Sequence, residues 1–480
     1  MSYTINTINF NPANQSAFGT LETSEPTPVF QGDWVYGINK QLWQNFYYFT
    51  VTTPATPPLV GDVYTNNNAT FIIVYSSGTV LIANGSSDPT ATGNLTRSSG
   101  AGTTPIAYSA FTVSAGITIG TGATIDTNAS RLRMQSGTGS ANVCYLQSRK
   151  PVRYRAGEGM FERLTPLFTA GVVNNLQMMG IGAMVGTTIQ DGYFFGYQNT
   201  TYGIFHYNAG SLVNFYSQAN WNGDKGNGTG TSGITLDPTK GTPCMIKYPY
   251  LGYGDISFWF QNPTTGVWIL AHTIQYANAN TAVQLSNPTL YALYYTANTG
   301  NTTNQTMYSG SIGCFISGVR SFISNPKWGM DSTKTAFASG AVLAVKNCSS
   351  YNGVVNRNPI RLNSFSVANG TTANNDAASF RIRINPVLGG TPSWTAINGT
   401  LTNSGATITS GNSIASYDTA TTTVTGGDYI YNLSVGSGGG TVIDLTPYEI
   451  YINPNEVMTI ECTSQASSTV SVSVNATDDI

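Results

Sequence analysis

Two histidines, five cysteines and a thin scatter of acids are all this 480-residue chain offers for chemistry. His206 and His272 stand in separate strand-like segments, with no cysteine or acid at ligand spacing, so neither reads as a zinc ligand. Cys144, Cys244, Cys314, Cys348 and Cys462 form no C-x-x-C pair. Nucleophilic catalysis needs a serine or cysteine beside an oriented base, and no such motif surrounds either histidine. Glu158 and Glu162 are the only glutamates between residues 115 and 330, and they match no paired-carboxylate strand of the retaining-glycosidase kind. The run Gly436 to Gly440 (GSGGG) lacks the Lys-Ser/Thr ending of a phosphate loop and reads as a turn. The expectation is a protein with no catalytic residues, no metal and no cofactor.

Binding is a better prospect. The loop NWNGDKGNGTGTSG (220–233) carries Trp221, which could stack on a sugar ring, and Asn222 and Asp224, which could bond its hydroxyls or hold Ca²⁺. The same residues also suit a Gly-rich turn with Trp221 packed down as an anchor, and that reading is favoured. Tyr193, Tyr197, Tyr202 and Tyr207 lie close in sequence and suit either a binding surface or a sheet face.

Charge excludes further classes. Charged residues make up 9% of the chain, and 20 Lys and Arg against 22 Asp and Glu leave a net charge of −2. The densest basic cluster, Arg149, Lys150, Arg153, Arg155 and Arg163, is interleaved with Glu158 and Glu162 and reads as a turn or clamp, so no nucleic-acid partner is expected. No apolar run is long enough to span a bilayer. The start, MSYTINTINF, has no basic stretch leading into an apolar core, and no export signal is expected. An odd, dispersed set of cysteines suits synthesis in a reducing compartment. A composition that looks extracellular in a chain without an export signal is reconciled by a virus particle, made in the host cytoplasm and released by lysis, or by a dedicated non-Sec secretion route.

The elements that must position any site are strands. Segments lacking Gly or Pro alternate with period two, and a short helical turn at Asn174 to Met179 is the most helix expected. TFIIVYSSGTVLIANG (70–85) reads as a hairpin, and Asn262 to Gly266 joins two more strands in DISFWFQNPTTGVWILAHTI. Four regions follow: an N-terminal arm or attachment region at 1–49, or equally an ordinary strand or two packed on the next domain, a small β unit at 50–114, a larger sandwich at 115–330, and a second sandwich at 331–480. The fold class expected is all-β, with tandem β-sandwich or jelly-roll domains and a small N-terminal β unit.

Three stretches carry a resemblance. Residues 236–303, LDPTKGTPCMIKYPYLGYGDISFWFQNPTTGVWILAHTIQYANANTAVQLSNPTLYALYYTANTGNTT, resemble a module of structural proteins from tailed phages and large double-stranded DNA viruses, one similar to the concanavalin-like jelly roll. Residues 61–111 resemble a small β unit that precedes that module. RNPIRLNSFSVANG and IDLTPYEIYINPNEVMTIECTS resemble the end domain of such proteins. The resemblance implies a non-enzymatic fibre, spike or decoration subunit on a virion surface, with itself as a partner in a homotrimer, other virion proteins as neighbours, and host surface glycans as a ligand. The alternatives are a lectin-like carbohydrate-binding protein and a virion-associated glycan depolymerase.

Overall fold

The computed structural model describes residues 26–66, 68–317, 325–371, 376–390, 392–397, 401–403, 406–408 and 413–479. Among these residues the regular structure is strand, with only single-turn 3-10 segments beside it. The all-β fold class with tandem β-sandwich/jelly-roll domains is the one observed. Among the described residues the chain divides into two compact units, residues 26–45 with 114–317 and residues 46–113 with 325–479.

The first unit is a two-sheet sandwich. One sheet runs in the order Trp268–Ile274, Ile256–Gln261, Cys244–Tyr248, Met160–Phe168, Thr306–Ile316, Arg131–Gln135 and Thr124–Asn128, with Thr27–Asp33 also paired to Thr306–Ile316. The other runs Ser211–Ser217, Thr201–Asn208, Thr188–Gln198, Asn175–Val185, Tyr291–Asn298, Val143–Gln147 and Ile117–Ile119. Neighbouring strands are antiparallel throughout, as short loops between strands allow. Alternate residues meet between the sheets. Leu164, Ile246, Phe258 and Phe260 from the first face Ile181, Tyr193, Phe195 and Ile204 from the second in one core. Phe195 and Phe258 cross the gap edge-to-face at 5.4 Å.

For residues 26–45 the structure takes the packed-strand alternative, and they belong to this sandwich. Thr27–Asp33 is a strand, and Trp34 and Trp43 stack at 5.1 Å inside the core. Gly32 permits this, because a Cβ there would stand 2.9 Å from the Trp43 ring. Residues 1–25 of the arm lie outside the described residues. The helical turn expected at Asn174 to Met179 is instead the start of the strand Asn175–Val185. Asn174, at φ 56, makes the left-handed turn that feeds that strand, and pairing with Thr188–Gln198 and Tyr291–Asn298 decides its conformation.

In the second unit, Asn45–Val51, Val80–Gly85, Ala69–Ser77, Val63–Asn66, Gly93–Ser99 and Ile106–Ala115 close into a small barrel around Phe49, Tyr64, Phe71 and Leu81. The hairpin read over 70–85 is its Ala69–Ser77 and Val80–Gly85 pair. The remaining sandwich is built on two long strands, Lys327–Asn347 and Val457–Asp478, paired along almost their whole length. The two strands VMTIECTS and STVSVSVNA of the sequence pattern are thus one element. Its first half also pairs Ala378–Ile384 and its second half Ile360–Asn369, so the same strand serves both layers.

Candidate functional site

The residues with chemistry are scattered, and burial has neutralised most of them. Glu162 lies on the inward face of Met160–Phe168, with 0% exposure, and its carboxyl reaches only the Cys314 thiol at 3.7 Å. Burial holds its pKa well above the usual carboxylate value, and the Cys314 contact lowers it only partly. Glu158 sits in the turn before the strand, ion-paired with Arg155 at 3.6 Å. The two acids therefore occupy a core and a turn rather than opposite walls of a cleft. Arg163 points the other way from Glu162 and lays its guanidinium over Phe161 and Phe315. Among the described residues, no three His, Cys, Asp or Glu side chains are grouped to hold a metal. All five cysteines are unbridged, and four are buried.

The loop at 220–233 is a strap, and the anchor reading describes Trp221. Its indole is 2% exposed, packed edge-on against Phe195 and Tyr202, with Nε1 donating to the Tyr216 carbonyl at 3.1 Å. No ring face is left for a sugar. Asn222 acts as a piece of strand: its Oδ1 accepts from Thr273 N and its Nδ2 donates to Thr273 O, both at 2.8 Å. Gly223 N and Asp224 N donate to the carbonyls of Ala271 and Leu270. Gly223 must be glycine, since a Cβ would meet the Leu270 oxygen at 2.4 Å. Both Asp224 oxygens are taken, by Gly226 N at 2.9 Å and Ser232 N at 2.7 Å. Burial opposes its charge, but the N–H groups of Ser232 and Gly226 prevail and lower its pKa. The strap thus covers the open edge of Trp268–Ile274. His272 belongs to the same seal: Nδ1 accepts from Asn222 N at 3.2 Å, and burial pushes its pKa down to about 4. Tyr193, Tyr197 and Tyr202 fill the core rather than a surface.

The arrangement that can meet a ligand lies elsewhere. Three loops, at 208–211, 249–255 and 275–290, gather at one end of the sandwich, and Gln284 joins them. Its backbone N–H donates to Gly252 O and its Nε2 to Gly254 O, while its Oε1 accepts from the Tyr193 hydroxyl. Its carbonyl meets His206 Nε2 at 3.3 Å. Burial lowers the His206 pKa against the opposing pull of that carbonyl and of Asp191. Next to Gln284, Ser286 donates its Oγ to Asp191 at 2.7 Å and its N–H to Asn208 at 2.7 Å, and Leu285 N and O both bond the Tyr250 hydroxyl.

On this stiff base sit apolar groups in water. Leu251 is 54% exposed, Tyr253 40% and Val283 47%. Leu251 also holds φ 47, the left-handed region that costs a branched residue energy. The Tyr253 hydroxyl donates to Thr281 O and the Tyr276 hydroxyl to Ala282 O, both at 2.9 Å, which fixes both rings. Asp255 Oδ1 accepts from Tyr276 N and Ala277 N. Nothing in the sequence marks Gln284 or Leu251. The segments holding them, PYLGYGD and QYANANTAVQLSNP, read there as strand ends and loop.

No family model and no curated protein matches the chain. Among solved structures it is similar to a lectin from Bauhinia forficata in complex with GalNAc, at 11% identity over 41% of this chain and 91% of that one, with a TM-score of 0.26. A legume lectin-like domain from Entamoeba histolytica shares 11% identity over 40% of this chain and 86% of its own, with a TM-score of 0.25. A putative beta-glucanase from Mycobacterium abscessus shares 11% identity over 40% and 78%, with a TM-score of 0.26.

Two titrations follow from the buried groups. Glu162 keeps its proton in the fold while an unfolded glutamate loses it near pH 4.3, so the fold loses stability as pH rises from there. Glu162→Gln should therefore match the parent at pH 4 and melt higher at pH 8. His272 behaves oppositely: its neutral form is held, so stability is complete above about pH 6.5 and drains as pH falls toward its folded value of about 4. His272→Gln should flatten the acid limb of melting temperature against pH, and an unchanged limb would contradict the assignment.

Proposed function

We propose that this chain is a non-catalytic carbohydrate-binding protein and that the Leu251–Tyr253–Val283 end of its first sandwich is the contact surface. The observation that carries the reading is Leu251, held in a strained backbone conformation with its side chain in water on a loop that is rigidly bonded. Strain and apolar exposure at one residue are costs that packing does not explain, and a ligand surface does. An aliphatic and aromatic platform suits the C–H face of a pyranose, and the amides of Asn278 and Asn280 at its rim suit hydroxyls. Glu158 and Glu162 give the depolymerase alternative no pair of acids to work with.

Leu251→Asn separates the two roles of this residue. Asparagine tolerates the left-handed region, so the melting temperature should hold or rise. Binding on a glycan array should fall by at least about fivefold, the scale of one lost apolar contact. Full binding by this variant would place the ligand elsewhere.

A second reading concerns assembly. We propose that the chain self-associates, as a surface fibre, spike or decoration subunit of a virion would. Two edge strands support it. Asp428–Val435 and Gly440–Asp444 each pair on one side only among the described residues. They and their surroundings expose Tyr429 (54%), Val442 (71%) and Tyr448 (59%). Neither strand carries a lysine or a proline to blunt it. Sedimentation of the 50.9 kDa chain should give a stable oligomer, a trimer in the fibre case. A monomer at high concentration would remove this reading and leave the carbohydrate one standing.

A further inference from the structure

The basic segment at 149–155, a turn or clamp by its sequence, borders the platform. Its first end is fixed by Arg149 N, which donates to Leu42 O, and by Ser148 Oγ, which donates to Lys150 O at 2.9 Å. In its middle, Val152 and Leu290 exchange both backbone bonds, at 2.7 and 3.3 Å. At its far end, Arg155 is ion-paired with Glu158 at 3.6 Å. The segment is a fixed strap beside the loops that carry Leu251 and Val283.

Tyr154 is the strap's contact with the Leu251 loop. Val152 is buried in the core, and the Tyr154 ring packs against the same core, edge-on to Tyr250 at 5.0 Å and to Tyr248 at 6.3 Å. The Tyr154 hydroxyl bonds the Leu251 backbone. Burial raises the phenol's pKa, and that backbone bond pulls it partly back. Leu251 is thus held at its neighbours and at itself. Gln284 bonds the carbonyls of Gly252 and Gly254, and Tyr154 bonds the peptide of Leu251. A leucine left to itself abandons φ 47 for the right-handed or extended regions. A bond to its own peptide group opposes that change directly.

We propose that Tyr154 is a positioning residue of the binding surface: its hydroxyl holds the Leu251 peptide in the left-handed conformation and so keeps the Leu251 side chain presented to the ligand. This rests on the carbohydrate reading above. The phenol acts through Leu251 rather than on the ligand. The strap gains a function that does not depend on its charges.

Tyr154→Phe keeps the ring on Tyr250 and removes the hydroxyl. On a glycan array the full chain carrying this change should bind about threefold to tenfold more weakly than the parent, the scale of one hydrogen bond. The decisive comparison uses Leu251→Asn. Asparagine holds the left-handed conformation unaided, so adding Tyr154→Phe to that variant should cost no further binding. Hydrogen exchange gives a second readout. Tyr154→Phe should speed exchange across 249–255 by at least about fivefold and leave Asn175–Val185 unchanged. Array binding that Tyr154→Phe leaves intact overturns the proposal. Equal losses in the parent and Leu251→Asn backgrounds also overturn it, because a merely structural role acts on both alike. If the parent binds no glycan, the carbohydrate reading falls and the exchange rates decide the clamp by themselves. Unchanged exchange at 249–255 then overturns it, and faster exchange upholds it.

Discussion

A backbone N–H or C=O taken out of water must find a partner, and outside its sheets this chain meets that need with side-chain amides. An amide carries a donor and an acceptor at nearly the spacing of a peptide group, and it costs no charge to bury. Asn222 pairs with Thr273 as a neighbouring strand would. Asn142 donates to the carbonyls of Thr121 and Ser136, and Asn298 to those of Gly137 and Gly139. Gln284 does the same for the loop end, and Asn347 donates to the carbonyls of Asn358 and Ile452 in the second unit. This is why a chain with so few charges can still close its sheets, and why its asparagines are structural before they are anything else.

The strands were legible because period-two alternation is a local signal. Ile256–Gln261 and Trp268–Ile274, with the Asn262 to Gly266 turn between them, need nothing beyond their own residues. What stayed hidden depended on distant partners. The strand Thr27–Asp33 is defined by pairing with Thr306–Ile316, and neither segment announces the other. Val457–Asp478 reads as two strands because the polar residues near Gln465 interrupt its pattern, yet pairing with Lys327–Asn347 carries it through.

The candidate site was less legible than the fold, for the same reason. Trp221 stood out in sequence because tryptophan in a polar loop has two uses, and only the positions of Phe195 and Tyr202 decide between them. Gln284 and Leu251 did not stand out, since their importance lies in what converges on them. A glutamine that ties two loops to a sheet end looks like any other glutamine. A leucine at positive φ looks like a leucine in a short strand.

The pairing of Thr27–Asp33 with Thr306–Ile316 also bears on time. Thr27 meets Ile316, so during synthesis the first strand must wait for almost the whole sandwich before its partner exists. A contact that distant in sequence is slow to form. Until it forms, Trp34 and Trp43 have no closed core to enter. Burial of these two indoles is therefore a late event in folding, and the interval before it is when the nascent chain is most exposed to association with its neighbours.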